Sequence, residues 1–416
     1  MPKLSAHFQN RQPSVIRISQ IKFAERTDDT KAINVAIGNV SLPMHPAMQE
    51  RMNDLTNPNS PFKDGVVKYT KTIGMEETQR AFFNLIESSG FSTDGLYAQI
   101  TDGGSQAMEL LITGICGPAG TQEQPLLLID AAYTNYKSFA ERIGRPTVSI
   151  TRTLQDNGKF TLPPIDEIEQ TVAKHKPGGL VVIPYDNPTG HFYDRATMIK
   201  LAKICVKYDL WMISDEAYRE LYYTDDNISS IWGITERDVP GITGRRISIE
   251  TASKVWNACG LRIGALISDN SEFIAQSVAE NTACLSPNAL GQYIFASLAH
   301  QTKEQLQVWY DKLRKYYHTM MSSFCSELQE LLPGVIISSP DASIYSVVDV
   351  KNIVKPGFDA LEFVLWCSSI GFVELDGEKT TVLTAPMAGF YSQSDIENPG
   401  KTQMRIAFVE SPESMA

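Results

Sequence analysis

Five apolar runs, read as continuous, constrain this chain most: residues 125–129, 179–184, 210–213, 247–249 (with Ser248 inside it) and 263–267. A strand with one wet face alternates apolar and polar residues, because successive side chains point to opposite faces. A run without alternation belongs to a strand covered on both sides, as in a parallel sheet clothed by helices. Helical spacing appears between the runs. Residues 197–205 carry apolar positions at that spacing, and Tyr193-Asp194 stands where such a helix would start. Strands alternating with helices predict the α/β class, and 416 residues give room for two or three domains with a large core.

A long amphipathic pattern runs over about 302–332 and is closed by Pro333-Gly334. Tyr310, Leu313, Tyr317, Met320, Met321 and Phe324 form its apolar stripe, which is expected to face a core. The pattern exceeds an ordinary globular helix, so a connection between two domains is expected. Beyond it the strands are shorter, as at 344–350 and 404–408.

Composition excludes several functions. The net charge of −11 gives no basic surface for nucleic acid, and the first forty residues hold no basic helix for a DNA-binding regulator. No apolar run reaches the roughly 20 residues that a membrane span needs, and residues 1–20 lack the pattern of a signal peptide. Six scattered cysteines without a Cys-x-x-Cys pair read as reduced thiols, so a cytoplasmic protein is expected. The histidines do not gather at ligand spacing, and no metal is expected.

The chemistry is concentrated in Ser253-Lys254-Val255-Trp256-Asn257-Ala258-Cys259-Gly260-Leu261-Arg262-Ile263-Gly264. A lysine amine can condense with an aldehyde, and an arginine fork can hold a phosphate. Thr251 and Ser253 add hydroxyls, and Gly260 and Gly264 let the backbone bend close. Pyridoxal phosphate needs this combination. A second cradle is expected at Gly103-Gly104-Ser105, a glycine turn opening an amphipathic helix, because a helix N-terminus offers free N–H groups to a phosphate. Asp215, after the apolar run 210–213, is suited to keep a pyridine nitrogen protonated; the plainer alternative is a helix N-cap.

Together with Tyr185-Asp186-Asn187-Pro188-Thr189-Gly190 and Ser214-Asp215-Glu216-Ala217-Tyr218, this stretch resembles the fold-type I pyridoxal-phosphate enzymes, and within them the class I/II aminotransferases, over about residues 34–410. The resemblance implies a large domain at 51–300 with a mostly parallel, seven-stranded type of sheet. It also implies a smaller α+β domain at 301–416, to which part of the arm 1–50 returns. It makes Lys254 the Schiff-base lysine and proton shuttle, with Asp215 and Tyr218 as its catalytic companions. Asn187 and Tyr218 are implied donors to the ring hydroxyl, and Tyr133 the aromatic on the ring face, with Tyr136 as the rival. Asp186 stays open between touching substrate and holding its loop. Arg405, Gly38 and Asn187 are the implied holders of the substrate carboxylate. Tyr69 is the implied visitor to the partner's phosphate, hence a homodimer with shared active sites.

The expected reaction moves an amino group between an L-amino acid and a 2-oxo acid by a ping-pong route. Where aspartate enzymes of the family often bring a second arginine from the partner subunit, residues 284–291 have none, so neutral or aromatic donors are expected. Ala342 stands where relatives commonly carry glycine, a departure beside the implied site. The alternative reaction on the same framework is a C–S β-lyase or related lyase.

Overall fold

The computed structural model describes residues 2–415 apart from 227, 340 and 394–396. Its centre is one sheet of seven strands: β1 (Tyr97–Thr101), β2 (Leu126–Asp130), β3 (Thr147–Thr151), β4 (Gly179–Val182), β5 (Trp211–Asp215), β6 (Arg246–Thr251) and β7 (Gly264–Ser268). Their order across the sheet is β1-β7-β6-β5-β4-β2-β3. Strand β7 runs antiparallel to both neighbours, and the other pairs are parallel.

The five apolar runs became β2, β4, β5, β6 and β7; the one in β6 is interrupted by the buried Ser248, and successive residues explain why the others do not alternate. Leu127, Leu180, Val182 and Met212 enter one core together with Met198, Leu201 and Ala202 of the helix Arg195–Lys207. Leu126, Leu128, Val181 and Ile213 enter the other, against Ala107, Leu111 and Ile112 of the helix Gly103–Ile115. Both faces are buried, at roughly 1.5–3 kcal/mol for each fully buried aliphatic side chain. The two strands without an apolar run, β1 and β3, are the sheet edges. In β3, four of five residues keep partial exposure, so Thr147, Ser149 and Thr151 are tolerated there.

The long helix is Lys303–Leu331. Thr302 caps it in a reciprocal box: its hydroxyl accepts from Gln305 N at 3.3 Å, and its own N–H donates to the Gln305 side chain at 2.8 Å. Its buried stripe holds Tyr310, Leu313, Tyr317, Met320 and Met321 and extends to Leu306 and Trp309, whereas Phe324 is only partly buried. Beyond it, Tyr345–Asp349 pairs antiparallel with Gln403–Ala407 in a four-stranded sheet. The N-terminal strand Lys31–Asn34 lies parallel to Glu378–Leu383, so the start of the chain returns to its end. The helix Val15–Phe23 packs on Ala360–Ser369, and nearby Arg26 binds the Cys367 and Gly371 carbonyls at 3.2 and 3.0 Å. Among the described residues no helix is long and apolar enough to cross a membrane.

Candidate active site

A cavity of about 560 Å³ opens at the carboxyl ends of the parallel strands, where α/β sheets characteristically bind ligands. Loops following β2, β4, β5 and β6 supply Tyr133, Asn187, Tyr218 and Lys254 to its wall, and Asp215 and Thr251 stand at the last positions of β5 and β6.

At one end lie Gly104, Ser105, Thr251, Ser253 and Arg262. Gly103 is the first residue of the helix Gly103–Ile115, so the glycines form the first helical turn rather than a loop before it. A Cβ on Gly103 would run into the Arg262 guanidinium, and its φ of +75° suits glycine. Arg262 is itself left-handed (φ +53°), and its Nη1 donates to the Cys259 carbonyl at 2.8 Å. The Thr251 and Ser253 hydroxyls are 2.7 Å apart.

Deeper in, Asp215 is buried and no helix follows it, which removes the N-cap alternative. Its Oδ1 accepts from Ala217 N at 3.2 Å and its Oδ2 from the Tyr136 hydroxyl at 3.0 Å. Burial lifts its carboxyl to about 6, since these two hydrogen bonds only partly offset the desolvation. Tyr133 and Tyr136 are thereby separated: Tyr133 faces the cavity, and Tyr136 sits fully buried and bonded to Asp215. The Asn187 amide donates to the Tyr218 hydroxyl at 3.4 Å. Lys254 is half-buried, and its Nζ donates to the Gly38 carbonyl.

The other end is built around Arg405, which is 1% exposed. Its Nη1 donates to Asn187 Oδ1 at 2.9 Å and its Nη2 to the Ala36 carbonyl at 2.6 Å, while its buried Nε has no partner among the described residues. The guanidinium lies 4.4 Å from the Tyr345 ring centre and 5.3 Å from that of Phe390. A Cβ on Gly38 would collide with the Tyr345 hydroxyl, so only glycine lets that loop close on the site.

Asp186 holds its loop. It pairs with Arg152 at 2.8 Å, both side chains being almost wholly buried, and accepts from Thr189 N and Oγ1 at 3.1 and 2.7 Å. Tyr69 is not among the residues lining this cavity. It is 79% exposed and borders a separate hollow with Phe62, Val66 and Met75. Sequence reasoning missed Tyr345 and the contribution of the helix Val15–Phe23, which brings Ile16 and Arg17 to the wall. Tyr345 comes to Arg405 through strand register, Val347 being paired with Arg405, which no local sequence pattern announces. Arg17 had no signal either, because nothing in residues 1–20 marks a return to the site.

These residues fit pyridoxal phosphate. The cavity end lined by Gly104, Ser105, Thr251, Ser253 and Arg262 offers hydroxyls, a guanidinium and first-turn N–H groups to an anion. Asp215 is a buried carboxylate with hydrogen bonds and, among the described residues, no cation partner, so a ring N–H would complete it. The free Nε of Arg405 is left for a carboxylate.

The comparisons agree. The family described as aminotransferase class I and II matches residues 30–365. The aspartate/prephenate aminotransferase of Thermus thermophilus is 23% identical over 72% of this chain and 74% of its own. A structure of the aspartate aminotransferase of the same organism with maleate superposes at TM-score 0.79 and 20% identity, covering 100% of this chain and 97% of that one. The N-succinyldiaminopimelate aminotransferase of Mycobacterium tuberculosis superposes at 0.81 and 20% identity, covering 99% and 97%. With its family matched over most of its length and that family's cofactor fitting its cavity, this chain belongs to the class I and II aminotransferases, whose members use pyridoxal phosphate.

Proposed function

We propose that this protein transfers an amino group from a neutral or aromatic L-amino acid to a 2-oxo acid by a ping-pong route, with Lys254 as the residue that takes the cofactor aldehyde. The observation that carries this is the placing of Lys254 on the wall between the Arg262 cradle and the buried Arg405. Bound there, pyridoxal phosphate supplies an electron sink for the substrate α-carbon. Arg262, Thr251, Ser253, Ser105 and the first-turn N–H groups of Gly103 and Gly104 hold its phosphate. Tyr133 would cover the ring face, Asp215 would keep the proton on the ring nitrogen, and Asn187 and Tyr218 would present donors to the ring hydroxyl. Arg405, with Asn187 and the Gly38 backbone, fixes the substrate carboxylate. The Lys254 Nζ, held near the Gly38 carbonyl, would be the group to move the α-proton.

The same reading makes the protein a homodimer. Tyr69 is exposed beside Val66 and Val67, and its neighbours Thr70 and Thr72 bond Ser286 Oγ and the Leu285 carbonyl, so the two segments tied to the partner form one surface. It divides the chain into an arm at 1–50, a cofactor-binding unit at 51–300 and a C-terminal unit at 301–416. All seven strands of the central sheet fall in the second of these. Six free thiols support a reducing, cytoplasmic setting. The matched relatives named above are aminotransferases, so the lyase is not the favoured reaction.

The test is a half-reaction panel on the holoprotein, each amino acid being mixed in turn without acceptor and the visible cofactor band followed, and then a turnover panel of the same donors with 2-oxoglutarate as acceptor. Tyrosine, phenylalanine or methionine is expected to lead. Aspartate ahead by about a hundredfold, near the upper end of what one pocket contact discriminates, rejects the donor class. Ammonia and pyruvate released without acceptor reject transamination. Borohydride reduction that leaves Lys254 unlabelled rejects the whole assignment.

A further inference from the structure

Tyr345 stands where the two halves of the reaction meet. It begins the strand Tyr345–Asp349, two positions from Val347, which is paired with Arg405. Its side chain and that of Arg405 therefore share a sheet face as diagonal neighbours. The register accounts for the 4.4 Å approach of the guanidinium to the ring. At its far end the Tyr345 hydroxyl lies 2.9 Å from the Tyr218 hydroxyl, with the two rings edge to face at 76°. The third neighbour is Gly38, whose missing side chain makes room for that hydroxyl and whose carbonyl takes the Lys254 amine. Tyr345 thus touches the carboxylate anchor with its ring, and with its hydroxyl the tyrosine on the cofactor side.

We infer that Tyr345 is a positioning residue that braces Arg405 with its ring and Tyr218 with its hydroxyl, so that one side chain registers the substrate carboxylate against the cofactor ring. This rests on the aminotransferase reading of the same cavity. The electrostatics agree with the geometry. Burial alone raises a phenol, yet the positive charges of Lys254 and Arg405, with the hydrogen bond to Tyr218, outweigh it and leave the Tyr345 hydroxyl below its ordinary value. The brace is rigid: Tyr345 is 2% exposed and lies in a core with Tyr218, Ile344 and Phe408.

The two contacts separate by substitution. Tyr345→Phe keeps the ring and deletes the hydroxyl. In single-turnover half-reactions with the best donor of the panel, its rate constant is expected to fall about tenfold, the upper range for one neutral hydrogen bond. Donor Kd should stay within about threefold, because the face under Arg405 survives. The pH midpoint of the visible cofactor band should also move, since Tyr218 has lost a partner, a change that a merely structural tyrosine would not produce. Tyr345→Leu removes both contacts, and donor Kd should rise by a further factor of about ten or more, as for a desolvated cation–π contact. If the leucine variant does not fold, the double cycle of Tyr218→Phe with Tyr345→Phe carries the test: non-additive losses support the brace. An unchanged rate and band midpoint in Tyr345→Phe overturn it, as do additive losses in the cycle or equal rises of Kd in the phenylalanine and leucine variants. A wild-type holoprotein that converts with no amino acid would sink the aminotransferase reading itself. With an active wild type, these variants judge Tyr345 alone.

Discussion

At one end of the cavity Arg262, Ser253, Thr251 and Ser105 come from two short stretches of chain, carried on the neighbouring strands β1, β7 and β6. Arg262 is exposed, and its one intramolecular bond is to a carbonyl three residues away. At the other end Arg405 is wholly buried and is positioned by Ala36, Asn187 and Tyr345, three segments far apart in sequence. A local, exposed cradle suits a dianion that several small contacts share. A buried, long-range clamp suits one carboxylate that must sit in a single place, because a charge in low dielectric is strong and its position is fixed before the ligand arrives.

The largest expected effect breaks the clamp. Arg405→Gln should lower kcat/KM for every donor by about 30- to 3,000-fold, the roughly 2–5 kcal/mol that truncating a buried hydrogen-bonded charge pair costs. Saturating pyridoxal phosphate should not restore it. If steady-state kinetics of the reconstituted variant show a loss below tenfold, the carboxylate is held elsewhere.

Arg262→Gln should weaken cofactor affinity by about 10- to 100-fold, as expected for a charge-assisted hydrogen bond of about 1.5–3 kcal/mol. Here excess cofactor should restore activity. Equilibrium dialysis with pyridoxal phosphate, followed by assay at saturation, checks both halves. A variant that binds cofactor normally and stays slow would make the two ends alike and remove the contrast.

Asp215 lies between the ends and tests burial without substrate. Its carboxyl is raised to about 6, mainly by burial. In the protein without cofactor it therefore stabilises the fold below about pH 4, and that stabilisation is lost as pH rises through 6. The difference approaches about 3 kcal/mol, at 1.36 kcal/mol per unit. Asp215→Asn should be nearly inactive yet, without cofactor, more stable than wild type at pH 7.5 by about 1–3 kcal/mol. Urea unfolding of both forms at pH 5 and 7.5 measures it. Equal stability at both pH values would mean that Asp215 titrates as if in water.

The same contrast decides what was legible in the sequence. The cradle could be read because its residues are neighbours in the chain, and five of seven sheet strands could be read because both their faces are buried. The edge strands escaped because polar residues break their apolar pattern: in β3 partial exposure lets Ser149 and the threonines in, whereas in β1 Gln99 and Thr101 are polar yet buried. Arg405 was visible by family resemblance, but its partner Tyr345 depends on strand register between segments about sixty residues apart, and no local pattern encodes that. The return of residues 31–34 to the strand Glu378–Leu383 is likewise a long-range pairing that composition does not announce.

Arg17 carries the smallest expected effect and the sharpest bearing on the donor class. It lines the cavity from the helix Val15–Phe23, it is exposed, and among the described residues its guanidinium makes no ion pair. An exposed arginine meeting a carboxylate in high dielectric gains about 0.2–1 kcal/mol. Arg17→Ala should therefore lower kcat/KM for a diacid acceptor such as 2-oxoglutarate by no more than about fivefold. Values for phenylpyruvate and tyrosine should be unchanged, and the small loss should fade at high salt, because screening acts on exposed pairs. Parallel assays of the two acceptors at low and high ionic strength decide it. A diacid-specific loss of a hundredfold that persists in salt would place Arg17 in a dry ion pair once substrate is bound. The N-terminal helix would then supply a second buried clamp for a diacid, and if aspartate also lost a hundredfold in the same variant, the neutral or aromatic donor class would fall.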